Sequence, residues 1–145
     1  MRADDINDII TATHRYARGL DLHDPDEAAS AFATDGVWDA TAVGLERYEG
    51  YEAIIGFFRA DAEAVARGVH MITNHLIDFD DEDHAHGTNY VYAEAEMNNG
   101  AAIKAIALNR DRYERTADGW RIAERTIAPL TTPQMEGFEV GAANG

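Results

Sequence analysis

The sequence contains no cysteine, and its 12 lysine and arginine residues are far outnumbered by 27 acidic ones. Without cysteine, disulfides, thiolate metal sites and a cysteine nucleophile are excluded. The net charge of −15 at pH 7 repels nucleic acid and anionic membranes, so we expect neither as a partner. No apolar run approaches the ~20 residues of a membrane span, and the acidic start lacks the apolar core of a secretion signal. We therefore expect a cytoplasmic protein.

Proline is also scarce, with three residues, while hydrophobic residues make up 46% of the 145-residue chain. This composition is typical of a globular domain that is large enough to bury its own core. We expect one domain over residues 1–145. The segment after Pro129 is loop-like, and residues 131–145 are predicted to form a flexible tail in which Met135, Phe138 and Val140 are possible docking points.

Helical periodicity predicts three helices, at residues 3–22, 27–33 and 51–67. Asp21 lies at the C-terminal edge of the apolar stripe of the first helix. Asp24 and Pro25 are typical of an N-cap and a first helical residue, and they mark the start of the second helix. Gly68 is predicted to cap the third helix at its C-terminus.

Alternation and turn residues predict six extended segments, at residues 36–43, 45–48, 69–79, 84–97, 101–115 and 120–130. An acidic turn at residues 80–83, an Asn-Gly turn at 99–100 and an Asp-Gly turn at 118–119 separate the four long strands. Helices followed by a meander of long strands indicate an α+β domain in which a curved sheet wraps around a helix. Such a cone has an open end, where pockets form.

The strand at residues 69–79 carries an unusual inner face. Alternation places His70, Ile72, Asn74 and Leu76 on the same side, because successive strand side chains point to opposite faces. A histidine and a carboxamide among aliphatic groups are costly when they are buried without partners. We therefore expect this face to line a pocket.

Taken together, these segments resemble the SnoaL-like branch of the NTF2-like superfamily, which has a cystatin-like, cone-shaped fold. The segments that carry the resemblance are residues 15–21, 36–39, 70–74, 113–115 and 118–122. The match extends over residues 6–130 and is closest to the scytalone dehydratase and hexachlorocyclohexane dehydrochlorinase subgroup. It implies N-terminal helices packed on a curved antiparallel sheet, and a homodimer or homotrimer.

The resemblance also implies a catalytic pair. Asp21 and His70 stand where enzymes of this subgroup carry an Asp–His dyad, and Trp38 and Arg125 resemble two further positions of the dehydrochlorinase pattern. The implied activity is that of a lyase without a cofactor or metal, acting on a small, apolar, oxygenated or cyclic substrate. His70 would be the base, and Asp21 would orient it. Arg125 would stabilise the leaving group or an enolate oxygen.

Further roles follow from the same resemblance. Tyr16 would donate a hydrogen bond to a substrate oxygen. Trp38 and Phe57 would form an apolar wall, and Asn74 and Asp39 would provide polar contacts to the substrate. The chain departs from scytalone dehydratase because Ala40 replaces a tyrosine and the second long strand offers no equivalent histidine, which argues against a scytalone-like substrate.

Two other functions are compatible with the sequence. A ketosteroid-isomerase-like isomerase, or a polyketide cyclase, would use Tyr16, Asp39 and a protonated Asp111. A non-catalytic ligand-binding protein, or a small subunit like that of dioxygenases, would use none of them. Each candidate also has a structural alternative, such as a core histidine for His70 and an exposed ion pair for Arg125.

Two histidines on one strand face, His84 and His86, lie beside the acidic turn at residues 80–83. Imidazole and carboxylate groups at this spacing are able to chelate a metal ion. A hairpin tip is exposed, however, and supplies no closed set of ligands. We therefore expect no metal site there.

Overall fold

Three helices precede the long strands of the sheet. The computed structural model describes residues 2–137. Its helices are α1 (Ala3–Asp21), α2 (Pro25–Ser30) and α3 (Tyr51–Ala64). Its strands are β1 (Phe32–Asp39), β2 (Arg47–Glu49), β3 (Val65–Phe79), β4 (His84–Met97), β5 (Ala102–Thr116), β6 (Gly119–Pro129) and β7 (Gln134–Glu136). No helix in this part of the chain is both long and apolar enough to cross a membrane.

The strands form one curved sheet in the order β2-β1-β6-β5-β4-β3, and β7 pairs with β5 beside the end of β6. The predicted α+β class and the meander from β3 to β6 are confirmed. The sheet is mixed rather than purely antiparallel, because β1 runs parallel to β6. It is not closed into a barrel, so one end of the cone stays available for a cavity.

The apolar stripe of α1 packs on the inner face of the sheet, against β3 and β6. Ile9, Tyr16 and Ala17 from this stripe are buried in a core that also contains Phe58 of α3 and Trp120 of β6. The short helix α2 begins where the sequence predicted, because the Asp24 carboxylate accepts a hydrogen bond from the Glu27 backbone amide at 3.1 Å. Helices α1 and α3 pack on the sheet and α2 packs on both of these helices, which fixes the direction in which α1 ends.

Several element boundaries differ from the prediction. Strand β1 begins at Phe32 rather than at residue 36, and Thr41–Val43 forms a 3₁₀ turn instead of the end of a strand. Helix α3 ends at Ala64, so Gly68 lies inside β3 and does not cap the helix. A side chain at Gly68 would come within 2.8 Å of the Glu94 carbonyl oxygen, which explains the glycine by a close approach of two strands.

A bulge in β3 overturns the predicted face of this strand. The pairing of β3 with β4 shifts between Thr73 and Leu76, and Asn74 adopts a positive φ of 57° that asparagine tolerates better than most residues. Asn74 and Leu76 are therefore exposed, while His75 turns inward. The expectation that Asn74 shares a face with His70 is wrong, since one inserted residue reverses the alternation that follows it.

The chain after β6 is also more regular than predicted. Residues 134–136 form β7, which pairs with Ala102, Ile103 and Lys104 of β5, whereas a loop was predicted there. Met135 lies in this strand. The other two predicted docking residues, Phe138 and Val140, lie outside the described residues.

The close packing of α1 on α2 gives a first test. A methyl group at Gly19 would lie 2.3 Å from the Ala28 backbone nitrogen, so Gly19→Ala must separate the two helices. We expect a loss of about 1–3 kcal/mol in the free energy of unfolding, measured by urea denaturation. Gly56→Ala in the exposed face of α3 meets open space and should instead stabilise the protein by about 0.5–1 kcal/mol. Equal effects of the two substitutions would contradict this packing.

Candidate active site

A partly enclosed cavity of about 490 Å³ lies between the helices and the inner faces of β3, β4 and β5. Its size follows from small side chains on two neighbouring strands, namely Ala93 and Ala95 of β4 and Ala105 and Ala107 of β5. Strand alternation places these four alanines on the inner face, where larger residues would fill the space. In the sequence, the cavity is indicated by two pairs of alanines at alternating positions, 93/95 and 105/107, which were not used in the prediction.

Most of the lining is apolar, and the polar members are few. They are Tyr16, Asp21, Asp61, His70, Glu94 and Asn109. A largely apolar cavity with a few convergent polar groups is typical of a small-molecule site.

The side chains of Asp21 and His70 are in contact at the edge of this cavity. Asp21 is the last residue of α1, and its Oδ1 lies 2.7 Å from Nδ1 of His70 on β3. The second carboxylate oxygen, Oδ2, accepts a hydrogen bond from the His70 backbone amide at 3.0 Å. The carboxylate therefore fixes both the backbone and the ring of His70. Because an ionised carboxylate only accepts hydrogen bonds, Nδ1 carries the proton and Nε2 is left as the basic nitrogen.

Tyr16 lies beside the dyad. Its ring packs edge-on against that of His70 with the ring centroids 6.3 Å apart, and its hydroxyl oxygen accepts a hydrogen bond from Nε1 of Trp38 at 3.0 Å. Burial raises the pKa of the Tyr16 phenol, against the opposing charge of Arg125. The hydroxyl thus keeps its proton and is able to donate it to a hydrogen bond in the cavity.

Aromatic rings cover one side of the cavity. Trp38 and Phe57 line the cavity with their ring centroids 4.8 Å apart, and Tyr48 stacks on the other side of Phe57 at 4.7 Å. The hydrogen bond from Trp38 to Tyr16 joins this wall to the helix that ends in the dyad. Trp38 thus both packs and positions the phenol.

Arg125 occupies a different place from the one predicted. Its guanidinium is completely buried, makes a bidentate pair with Asp111 at 2.8 Å for both contacts, and lies 4.6 Å from the centre of the Tyr16 ring. Burial alone would lower the pKa of Arg125, but the charge and hydrogen bonds of Asp111 outweigh it and the pKa is raised. Arg125 does not line the cavity. Its guanidinium instead packs over the Tyr16 ring. Arg125 therefore forms no exposed ion pair, and it does not reach a leaving group in the cavity.

A buried polar network surrounds the Asp111 carboxylate. Besides Arg125, it accepts hydrogen bonds from the Tyr113 hydroxyl at 2.8 Å and from Nδ2 of Asn89 at 2.9 Å. Such an environment is that of an ionised carboxylate, whereas the isomerase alternative requires a protonated acid that lines the cavity. Asp111 does not line the cavity, and its carboxylate is already held by Arg125, Tyr113 and Asn89. The isomerase alternative therefore lacks the acid that distinguishes it from the lyase.

The same network determines how Asn109 faces the cavity. Because Asn89 donates to Asp111, its carbonyl oxygen is free to accept from Nδ2 of Asn109, at 2.8 Å. The carbonyl oxygen Oδ1 of Asn109 is then left buried without a protein partner among the described residues. Asn109 lines the cavity as a residue, but this oxygen itself is buried. Asn109 was not predicted as a site residue, although it alternates with Asp111 and Tyr113 along β5 and so lies on the same face of the strand.

The two remaining predicted substrate contacts lie elsewhere. Asp39 accepts hydrogen bonds from the backbone amide of Thr41 at 3.0 Å and from its hydroxyl at 2.7 Å, and these bonds lower the Asp39 pKa. Asp39 therefore stabilises the 3₁₀ turn, and like Asn74 it is absent from the cavity lining. The bulge turns His75 toward His14 of α1 and not into the cavity; burial lowers the pKa of His75, and its ring nitrogens have no partner among residues 2–137.

Helix α3 contributes an acid that the sequence analysis missed. Asp61 lies one helical turn after Phe57 in the otherwise apolar stripe of α3, and it lines the cavity. Burial raises the pKa of Asp61, against the opposing charges of His70 and His23. The sequence signal was an aspartate at helical spacing from apolar residues of one face.

The histidines near the acidic turn are paired with aspartates, His84 with Asp81 and His86 with Asp80 and, at 4.0 Å, with Asp78. Nδ1 of His84 lies 2.8 Å from Asp81, and Nδ1 of His86 lies 2.9 Å from Asp80. Within the described part of the chain, no three side chains of the ligating types are grouped so that they would hold a metal ion. The hydrogen bonds of these pairs raise the pKa values of both histidines.

The buried Arg125–Asp111 pair gives a second test. Asp111→Asn leaves the Arg125 charge buried without its counter-charge, so we expect a loss of about 3–5 kcal/mol in the free energy of unfolding. Glu124→Gln is the matched control, because it removes an exposed ion pair with Arg112 on the same two strands. It should cost about 1 kcal/mol or less. Urea denaturation checks both values, and similar losses for the two variants would contradict the network.

Comparison with known proteins identifies the fold and a family. The family model of the SnoaL-like domain matches residues 1–126. No curated protein matches this sequence. Among solved structures, a protein from Novosphingobium aromaticivorans described as an aromatic ring hydroxylase is 24% identical, with a TM-score of 0.87. That match covers 92% of this chain and 94% of the other.

Two further solved structures belong to the subgroup that the sequence resembles. A protein from Novosphingobium aromaticivorans described as a scytalone dehydratase is 19% identical over 92% of this chain and 88% of its own, with a TM-score of 0.81. A hexachlorocyclohexane dehydrochlorinase (LinA type 2) is 20% identical over 93% of this chain and 89% of its own, with a TM-score of 0.75. At these identities the structures establish the shared fold, and the predicted resemblance is confirmed.

Proposed function

The chain belongs to the SnoaL-like domain family, and from this premise we propose that it is a cofactor-independent lyase in which His70 acts as the base. The observation that carries the proposal is the 2.7 Å contact between Asp21 and His70 at the edge of an apolar cavity. Enzymes described as a scytalone dehydratase and a dehydrochlorinase share this fold, which makes an elimination the first reaction to test.

The proposed reaction begins with the removal of a proton from a carbon atom next to a carbonyl group. Nε2 of His70 accepts this proton, and the Asp21 carboxylate stabilises the imidazolium that forms. The Tyr16 hydroxyl donates a hydrogen bond to the carbonyl oxygen, on which negative charge develops. The electron pair of the broken C–H bond then forms a double bond as a group on the next carbon leaves.

The cavity also limits the substrate. Its wall of Trp38 and Phe57 favours an apolar ring, the Tyr16 hydroxyl offers a donor to a carbonyl oxygen, and elimination of water requires a hydroxyl group on the substrate. We therefore propose a small, mostly apolar substrate that carries a carbonyl group and a hydroxyl group. A double-bond isomerisation through the same His70 and Tyr16 is the second candidate, since it needs the same proton removal. Ligand binding without catalysis is the third.

The dyad is tested by two substitutions. His70→Ala removes the base and Asp21→Asn removes the orienting charge, so each should lower kcat/KM by at least about a hundredfold. The assay follows dehydration of the benzaldehyde–acetone aldol, a β-hydroxy ketone, to benzylideneacetone by its near-ultraviolet absorbance. His86→Ala, which changes an exposed histidine outside the cavity, is the control and should keep full activity. Activity that survives in His70→Ala would refute the proposal.

We also propose that the outer face of the sheet joins copies of this chain into a homodimer or homotrimer. Met71, Tyr90 and Ile106 are exposed apolar residues on neighbouring strands of this face. Sedimentation velocity should show an oligomer that dissociates in Ile106→Glu but persists in Leu22→Glu, which alters an exposed apolar residue at the end of α1. A monomeric wild-type protein, or an oligomer insensitive to Ile106→Glu, would contradict this interface.

A further inference from the structure

Two acidic groups of the cavity lining, Glu94 and Asp61, have no role in the reaction described so far, and Glu94 already pairs with Tyr92 and Lys104. Asp61 lies on α3, and it lines the same cavity as Tyr16, Asp21 and His70. Its neighbours in the lining from this region of the chain, Ala60, Ala64 and Val65, are all small or apolar. An acid in such a place costs free energy unless it is neutral or paired.

The structure offers Asp61 little to stabilise a negative charge. No side chain or backbone amide among residues 2–137 donates a hydrogen bond to it. Asp21, in contrast, accepts two hydrogen bonds from His70, and Asp111 is held by Arg125. Of these three carboxyl groups, Asp61 is thus the one with the fewest groups to hold a negative charge, and burial raises its pKa against the opposing charges of His70 and His23.

We propose that Asp61 is the general acid that protonates the leaving group, and that the substrate therefore loses water. This inference deepens the proposed function and rests on it. It assigns the two proton transfers of an elimination to separate side chains, with the base on β3 and the acid on α3.

The proton balance of the reaction is complete with these two groups. The C–H electron pair forms the double bond, its proton goes to Nε2 of His70, and the C–O bond breaks with its electrons on oxygen. The carboxyl proton of Asp61 goes to that oxygen, and water departs. The protein then holds an imidazolium and a carboxylate, and proton exchange between them through water restores the starting state.

The nature of the leaving group follows from the need for an acid. Hydroxide is a poor leaving group, so a positioned proton donor accelerates its departure as water. Chloride and acetate leave as stable anions and gain little from such a donor. A protonated carboxyl group in the cavity is therefore expected for a β-hydroxy carbonyl substrate and is not needed for a halide.

Three reactions distinguish the role of Asp61 as the acid from the role of His70 as the base. The first is dehydration of the benzaldehyde–acetone aldol, the second is loss of acetate from its O-acetyl ester, and the third is exchange of carbon-bound hydrogen for deuterium in benzylacetone, which has no leaving group. In Asp61→Asn, dehydration should fall by about a hundredfold while the other two reactions stay near wild-type rates. His70→Ala should lose all three. Glu63→Gln, an exposed acid two residues along α3, should change none of them.

Asp61→Asn would overturn the assignment if it left dehydration intact or lowered all three reactions equally. A wild-type protein that performs none of the three reactions contradicts the proposed function instead. In that case carbon NMR of labelled aspartate still decides the state of Asp61, by comparison with Asp61→Asn. A signal that stays protonated at a pH where exposed aspartates are ionised supports the assignment, and a signal that titrates with them overturns it.

Discussion

The two hydrogen bonds from His70 to the Asp21 carboxylate connect the end of α1 to the middle of a long strand. One bond fixes the strand backbone and the other fixes the imidazole ring, so the base is held without help from a substrate. The placement depends on the whole domain, because α1 must end at Asp21 and pack on β3 at the right depth. Close packing at Gly19 and burial of the apolar stripe of α1 provide that constraint.

Three carboxyl groups of the same type behave differently because of their surroundings. Asp21 accepts two hydrogen bonds from His70, Asp111 accepts two from the buried Arg125 beside Tyr16, and Asp61 lines an apolar cavity without a hydrogen-bond donor among the described residues. Burial alone disfavours charge, and only a cation or several donors offset that cost. The different properties of these three carboxyl groups thus follow from the groups that contact them rather than from the residue type.

The sequence predicted those features that depend on local periodicity or on the spacing of a motif. The meander of long strands belongs to this class, whereas the pairing of Asp21 with His70 and the place of Trp38 were implied by the family resemblance. The sequence did not predict the bulge at Asn74, because a single left-handed residue reverses the faces that follow it. It also missed the partner of Arg125, the orientation of Asn109 and the inward position of Asp61, because these depend on register between strands and on how α3 packs.

The tautomer of His70 tests the central claim most directly. In nitrogen NMR spectra of histidine-labelled protein, the account predicts a neutral His70 with its proton on Nδ1, where Asp21 accepts it at 2.7 Å. Asp21→Asn should shift the proton toward Nε2 or mix the two tautomers, while the signal of the exposed His86 stays unchanged. A wild-type His70 protonated on Nε2 while neutral would leave the cavity without its base and contradict the account.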